Sequence, residues 1–361
     1  MNELLYRLSL QFLSGVGPGS IRKLLQHFGN ATSVFTEKHL AGPAGRKISL
    51  PQLTDEIRRR AEQEAAWMEK TGSRLCFYTD ADFPKRLKNC ADSPYMFYYR
   101  GENVFSMQKM VAVVGTRNIS PYGKDITRKI VSELAEHDVC IVSGLARGVD
   151  AVAHEQAVES GLKTAAVMGS GLSIIYPDTN EQLAHRIVAE GGALLSEFPF
   201  KTKPDRQNFP QRNRIIAGMA DATLVMETAN KGGSVITAHI AHSYNRDVFA
   251  VPGNIFSPTS EGCNTLIRTN VAALVTSGND IAELMGWDLQ PQPAVQRNLF
   301  VELSEKEKAV TELITAHPHI AIDDLTVSLP QFSPSQLASL LLQLELKGVI
   351  QCLPGKTFRM Y

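Results

Sequence analysis

The chain has 361 residues, 43% hydrophobic and 20% charged, enough apolar material for at least one full core and for two or three domains. Lysine plus arginine equals aspartate plus glutamate, 37 of each, so no global basic field drives indiscriminate nucleic-acid binding, and a polyanion site must be local. The five cysteines (Cys76, Cys90, Cys140, Cys263 and Cys352) never form a CxxC pair, which excludes a zinc ribbon and a disulfide frame and fits a reducing cytoplasm.

Residues 1–73 read as a small helical domain. In "MNELLYRLSLQFL", Leu4, Leu5, Leu8 and Phe12 recur at helical spacing, while Glu3 and Arg7 interrupt the apolar run, so neither a secretory signal nor a membrane span is expected. "LSGVGPGSIRKLLQHF" places Gly15, Gly17 and Gly19 in a tight turn before a helix expected to open at Ser20. This resembles a helix-hairpin-helix, whose glycine turn lets backbone N–H groups approach a DNA phosphate; a plain turn between two packed helices explains it equally well.

Residues 74–288 alternate short apolar runs with amphipathic stretches. An arm, "RLCFYTDADFPKRLKNCADSPYMFYYRG", reads as one extra strand and a connection. The runs that follow are "MVAVVG" (110–115), "VCIVSG" (139–144), "TAAVMG" (164–169), "ALLSE" (193–197), "ATLVME" (222–227), "VFAVPG" (248–253) and "AALVTS" (272–277). Continuous runs of this kind suit parallel strands buried on both faces, and the helical stretches between them suit right-handed crossovers. The expected fold is α/β, a doubly wound parallel sheet.

Residues 289–300, rich in Pro and Gln, read as a linker. Residues 301–361 read as three capped helices closed by a hairpin around Pro354-Gly355, the order of a winged helix. The third of these helices is poor in base-reading groups, with Gln336 and Gln343 its only amides and Lys347 its only cation.

The chemistry of a doubly wound sheet lies beyond the carboxyl ends of its strands. Here those ends are glycine-rich: "VGTRNISPYG" with Gly115 and Thr116, "SGLARGVDAVAH" with Ser143 and Gly144, "GSGLSIIYP" with Gly169, Ser170 and Gly171, "NKGGSVITAH" with Gly232, Gly233 and Ser234, and "VPGNIFSPTSEGCN". Such loops bring backbone N–H groups and helix N-termini close to phosphate. Neither GxGxxG nor GxxxxGK[ST] follows any strand, which disfavours NAD or ATP chemistry; no cofactor, metal or catalytic group is assigned. The loops carry arginine instead: Arg117, Arg147, Arg206, Arg212 and Arg214. Guanidinium forks pair with phosphate, and the flat face of Phe209 can stack a base, a combination suited to single-stranded nucleic acid. In the alternative, Phe209 plugs the core and the arginines pair with Asp205 and Asp221.

The motifs "VGTRNISPYG", "SGLARGVDAVAH", "GSGLSIIYP", "LLSEFPF", "FPQRNRIIAGMADATLVME", "GGSVITA" and "RDVFAVPGNIFSPTSEGCNTLI" closely resemble, in order, the bacterial DNA-processing protein A family (DprA, or Smf). The resemblance implies an extended Rossmann-like sheet between a helix-hairpin-helix or SAM-like N-terminal domain and a winged-helix-like C-terminal domain. It implies a cytoplasmic, non-catalytic recombination mediator that binds and protects single-stranded DNA, forms a homodimer through the Rossmann-like domain, and helps load the RecA recombinase during natural transformation. The family's phosphate-gripping arginine falls on Arg117, its second cation, often lysine, on Arg206, and its stacking aromatic on Phe209. Arg212, Asn213 and Arg214 then fall at the start of a helix beneath the pocket, with Asn213 expected to bond loop backbone.

Two rival functions remain. Nucleotide phosphoribohydrolases use the same sheet type, and Asp150, His154, Glu197 and Glu227 lie near strand ends where an acid or base could act, although "KGGSVITAH" stands where those enzymes carry PGGxGTxxE. A transcription regulator would instead read duplex DNA with residues 301–361.

Overall fold

A computed structural model describes residues 2–37, 39–41, 47–49, 51–287, 303–353 and 355–360. The expected linker, 289–300, and Pro354 of the expected hairpin lie outside the described residues. The chain divides into two compact units, Met1–Leu274 and Val275–Tyr361.

The first unit is built on a nine-stranded sheet. Ahead of it come helices α1 (Glu3–Ser9), α2 (Pro18–Phe28) and α3 (Ala31–Thr36), a small antiparallel pair β1 (His39–Ala41) and β2 (Lys47–Ser49), and α4 (Asp55–Thr71). α2 opens at Pro18, two residues before the expected Ser20, because Gly17 is its N-cap and proline suits a first turn that needs no N–H partner. The arm at 74–101 supplies two strands, not one: β3 (Arg74–Phe77) and β4 (Met96–Gly101) pair antiparallel, with the short helix α5 (Lys85–Lys88) between them.

From there strands and helices alternate as β5 (Met110–Val114), α6 (Pro121–Glu133), β6 (Cys140–Ser143), α7 (Val149–Glu159), β7 (Thr164–Val167), α8 (Glu181–Ala189) and β8 (Ala193–Ser196). They continue as α9 (Asn208–Met219), β9 (Ala222–Val225), α10 (Gly233–Ser243), β10 (Asp247–Ala250), α11 (Glu261–Arg268) and β11 (Ala273–Leu274). The spatial order is β11-β10-β9-β5-β6-β7-β8-β4-β3, parallel from β11 to β8 and antiparallel at β4 and β3. The chain winds outward from β5 to β8, then returns across α9 to β9 on the other side of β5. That reversal opens the crevice in which sheets of this kind bind ligands.

Strand residues alternate between two cores, as a period of two requires. Phe97, Tyr99, Ala165, Val167 and Leu195 meet Leu87, Ile215, Ile216 and Ala238 on one face. Met96, Tyr98, Ala166 and Leu194 meet Leu183 and Ile187 on the other, together with Leu8, Phe12, Ile21, Leu25 and Met68 of the N-terminal helices. The N-terminal helices are therefore continuous with the sheet's own core. Arg22 uses its guanidinium on the carbonyls of Cys90 and Ala91, a use of the α2 entry that is internal to the protein.

Arg86 and Asp221 secure the centre of the sheet. Arg86 Nε donates to Asp221 Oδ1, its Nη1 donates to the Met107 carbonyl at 2.9 Å, and Asp221 Oδ2 accepts from Met110 N at 2.8 Å, where β5 begins. His154 on α7 is fully buried; its Nδ1 lies 2.7 Å from Thr164 Oγ1, which itself donates to the Ile141 carbonyl at 2.8 Å. Because the Thr164 hydroxyl proton points to the Ile141 carbonyl, its oxygen is placed to accept from His154 Nδ1.

In the second unit, α12 (Gly278–Leu284) precedes α13 (Glu305–Ala316), β12 (Ile320–Ala321), α14 (Ile322–Ser328), α15 (Pro334–Leu346), β13 (Ile350–Leu353) and β14 (Thr357–Met360). The sequence reading lacked β12, which pairs with β14 to make a three-stranded sheet. Reciprocal caps start three helices: Ser277 with Asp280, Ser304 with Glu307, and Ser333 with Gln336. Gln336 is thus a capping group, and Lys347 pairs with Glu307 at 2.6 Å, which commits two of the three polar groups noted on α15.

Replacing Arg86 with Ala should cost roughly 2 kcal/mol in urea unfolding, because it leaves the half-buried Asp221 carboxylate without its cation. The pH response follows from His154, whose pKa burial pushes down to about 3, with the nearby Arg212 charge acting in the same sense. Its unfolded form takes up a proton near the ordinary histidine pKa and the folded form does not. Stability should therefore be full above about pH 6.5 and fall as pH drops towards 3, by up to roughly 1.4 kcal/mol per unit. His154→Gln should show a shallower fall in Tm between neutral and mildly acidic pH.

Candidate functional site

The segment "NFPQRNRIIAGM" lies wholly within α9, so Phe209 belongs to its first turn and does not precede it. Pro210 is tolerated there because first-turn N–H groups have no helical acceptor. Asp205 makes the entry turn, its Oδ1 accepting from Gln207 N at 2.8 Å. Helical spacing then sorts the side chains: Arg212, Ile215, Ile216 and Met219 are buried, while Phe209 one turn earlier is half-buried at the strand ends.

Arg212 is 4% exposed. Its Nη1 donates to the carbonyls of Gly144 and Val167, at the ends of β6 and β7, and its Nε donates to Asn213 Oδ1 at 3.2 Å. Asp150 holds the same loop from the other side, Oδ2 accepting from Gly144 N at 3.1 Å and from Ala146 N at 3.4 Å. A Cβ on Gly144 would occupy the place of the Arg212 guanidinium, which is why that residue has no side chain. Burial pushes the Arg212 pKa down to about 10 and raises that of Asp150, each offset by the partner's opposite charge, so Arg212 stays cationic at neutral pH.

Above this pair open two adjoining cavities. The larger, about 520 Å³, is lined by Gly115, Thr116, Arg117, Arg206, Phe209 and Asn213, and across the crevice by Gly232, Gly233 and Ser234 at the start of α10. The smaller, about 220 Å³, is lined by Arg117, Gly144, Arg147, Gly169, Ser170 and Tyr176. Phe209 and Arg212 border both, and the Arg117 guanidinium carbon sits 5.2 Å from the Phe209 ring centre. A Cβ on Gly169 would come within 2.8 Å of that ring, so the loop passes close against its face.

Arg117, Arg147 and Arg206 are exposed and, among the described residues, lack an ion-pair partner. Among the described residues, no side chain caps α10, and the Ser234 Oγ is buried without a partner at the cavity wall. The arrangement offers three unneutralised guanidinium groups, a helix N-terminus, an unused hydroxyl and one aromatic face, the groups an aromatic polyanion requires. Asp205 and Asp221, the alternative partners of the arginines, are engaged elsewhere, by Gln207 N and by Arg86.

Of the strand-end loop residues singled out from sequence, Ser143 and Gly171 line neither cavity. Ser143 Oγ donates to the Val113 carbonyl at 2.6 Å, and Gly171 N donates to Thr202 O at 2.9 Å with no room for a Cβ against Pro199 and Phe200. Asn213 bonds Arg212, not loop backbone. Arg214 grips both oxygens of Glu197 and the Asp92 carbonyl. Tyr176, 48% exposed with its ring 6.0 Å from Phe209, went unremarked in the sequence; its signal was an aromatic before proline in a glycine loop.

The four acid and base candidates are occupied. Asp150 holds its loop, Glu197 pairs with Arg214, His154 is buried against Thr164, and Glu227 accepts from Ser120 N at 2.9 Å and from Ser120 Oγ at 2.7 Å. Among the described residues, no set of three or more His, Cys, Asp or Glu is placed to hold a metal ion, and no helix is long and apolar enough to cross a membrane.

Residues 74–286 match the family model for DNA recombination-mediator protein A, and residues 291–356 that for the DprA winged helix domain. The chain is 35% identical over 306 residues to protein Smf of Escherichia coli K12, covering 84% of this chain and 82% of that protein. It is 41% identical over 202 residues to DNA processing protein DprA of Streptococcus pneumoniae, covering 56% and 71%. The X-ray structure of Streptococcus pneumoniae DprA matches at TM-score 0.64 and 32% identity, over 78% of this chain and 98% of that one. DNA processing protein A of Helicobacter pylori, described for a unique single-stranded DNA binding mode, matches at TM-score 0.54 and 27% identity, over 60% and 97%. On these matches the chain belongs to the DNA recombination-mediator protein A family, with a DprA winged helix domain at its C-terminal end.

Proposed function

We propose that the paired cavities bind single-stranded DNA without base-sequence preference. The observation that carries this reading is Phe209 standing between two cavities, ringed by Arg117, Arg147 and Arg206, which among the described residues have no ion-pair partner, while the one lining carboxylate, Asp150, is held by its own loop. Phosphates fit the Arg117 and Arg206 forks and the open start of α10 at Gly232, Gly233 and Ser234. A base fits against Phe209, with Tyr176 beside it. Arg212 supplies charge from below while its Nη1 stays on the carbonyls of Gly144 and Val167. Single-stranded DNA binding in the Helicobacter pylori relative supports this reading.

In this reading the protein is a cytoplasmic recombination mediator and not an enzyme. It protects incoming DNA during natural transformation and helps load RecA, and it works as a homodimer formed through the sheet unit. β11 lies at the sheet edge with Leu274 half exposed, a surface a second copy can cover. The commitments of Asp150, His154, Glu197 and Glu227 support the absence of catalysis.

Binding of an unstructured oligonucleotide, followed by anisotropy across a salt series, tests the site. Arg117→Ala and Arg206→Ala should each weaken binding and flatten the log–log salt slope by about 0.7. Phe209→Ala should cost about 1–3 kcal/mol with the slope unchanged, since it removes stacking and no charge. Undiminished affinity in the Arg117→Ala, Arg206→Ala double variant would sink the site. Incubation with nucleoside monophosphates should release no free base; release abolished by Glu197→Gln or Glu227→Gln would establish the hydrolase instead.

A further inference from the structure

Beyond the Phe209 crevice, the structure repeats the same pairing of cation and ring on the side of the sheet covered by the N-terminal helices. The loop from Gly169 to Pro177 has Ser170 and Tyr176 in the wall of the 220 Å³ cavity, while Leu172, Ser173 and Ile175 of the same loop line a further cavity of about 450 Å³. Three residues of chain span at most about 11 Å, so these cavities are near neighbours across one loop. Trp67 of α4 and Arg100 of β4 line the far wall of the second.

Arg100 is half-buried, its guanidinium carbon 5.7 Å from the Trp67 ring centre. Its hydrogen-bond partner is Ser73 Oγ at 3.4 Å, and among the described residues it has no ion pair. A half-buried guanidinium beside an indole, over a floor of Leu172 and Leu194, offers an anion contact and a stacking surface together.

The series continues past Trp67. Its ring stacks on Phe200 at 4.9 Å and 10°, and Phe200 lines a third cavity of about 280 Å³ with Arg60 and Lys201. Lys201 Nζ is 5.4 Å from the Phe200 ring, and the Arg60 guanidinium lies 4.0 Å from that of Phe12. Backbone bonds from Gly171 N to Thr202 O and from Ser173 N to Phe200 O tie this segment to the loop dividing the first two cavities. Glu181 also lines the second cavity, and Glu64 is the carboxylate lining the third; Glu64 is buried, with Oε2 accepting from Phe200 N at 3.1 Å, so it holds the Phe200 segment while Arg60 and Lys201 oppose its charge.

We propose that a single strand of DNA held at Phe209 continues across the 169–177 loop onto a second subsite formed by Trp67 and Arg100, and from there towards Lys201 and Arg60. This rests on the crevice reading, and it makes the N-terminal helical segment part of the DNA track. Strand length would then set affinity, with a short oligonucleotide filling the Phe209 crevice alone.

The test uses the full chain carrying Trp287→Phe, which leaves Trp67 as the sole tryptophan of the two in the sequence. Thymidine oligonucleotides of about 5 and about 15 nucleotides bracket the site sizes usual for single-strand binders. The longer oligonucleotide should quench Trp67 fluorescence and the shorter should not. Arg100→Gln, and separately the exposed pair Arg60→Ala, Lys201→Ala, should weaken the longer ligand about fivefold or more, flatten its salt slope by about 0.7 per cation removed, and leave the shorter unchanged. Equal effects on both lengths, no effect on either, or equal quenching by thymidine monophosphate alone would overturn the track. If the short ligand ignores Phe209→Ala, the crevice reading itself falls, and the track with it. If the short ligand needs Phe209 while the longer gains nothing, only the track falls.

Discussion

The crevice depends on one buried cation. Arg212 reaches from α9 to the carbonyls that end β6 and β7, and Asp150 closes the circuit from α7 by accepting the N–H groups of Gly144 and Ala146. Removing a guanidinium from water is costly unless donors and charge are met; here Nη1 and Nε have acceptors and Asp150 opposes the charge. The result sets the height of the β6 loop, the path of the Gly169 loop and the position of Phe209 one helical turn away.

Around that fixed centre the charges divide into two populations. Carboxylates near the strand ends are drawn inward: Asp150, Glu197 and Glu227 each spend their oxygens on backbone, hydroxyl or guanidinium partners inside the unit. Cations at the rim have no ion-pair partner among the described residues: Arg117, Arg147 and Arg206 line the cavities and are exposed. A chain of zero formal charge thereby acquires a positive crevice by placement alone. The same inward use of acids makes the hydrolase chemistry hard to mount, since a general acid or base must have an oxygen or nitrogen to spare.

Much of the fold was legible because burial on both faces leaves continuous apolar runs, and β5 through β10 lie where those runs do. The caps of α13 and α15 were legible for a local reason, a serine three residues before Glu or Gln. Where the reading missed, longer-range terms prevailed. The 74–101 arm holds two strands because β4 finds a partner in β8, almost a hundred residues on, which no local period encodes. β12 is two residues long and exists only through β14.

In the crevice, the sequence by itself determined which loops end at the carboxyl side of the sheet and that arginines, glycines and one phenylalanine gather there. Residue chemistry alone could not rank those arginines, since Arg206, Arg212 and Arg214 are alike within nine residues of chain; the family resemblance gave Arg206 to the ligand and set Arg212 and Arg214 beneath the pocket. The tertiary structure supplied the physical ground for that separation, bringing carbonyls 68 and 45 residues distant to Arg212 and a carboxylate 17 residues distant to Arg214, while among the described residues no acid pairs with Arg206. A guanidinium is a free site or a structural clamp according to the acceptors the fold delivers to it, and those acceptors lie far away along the chain.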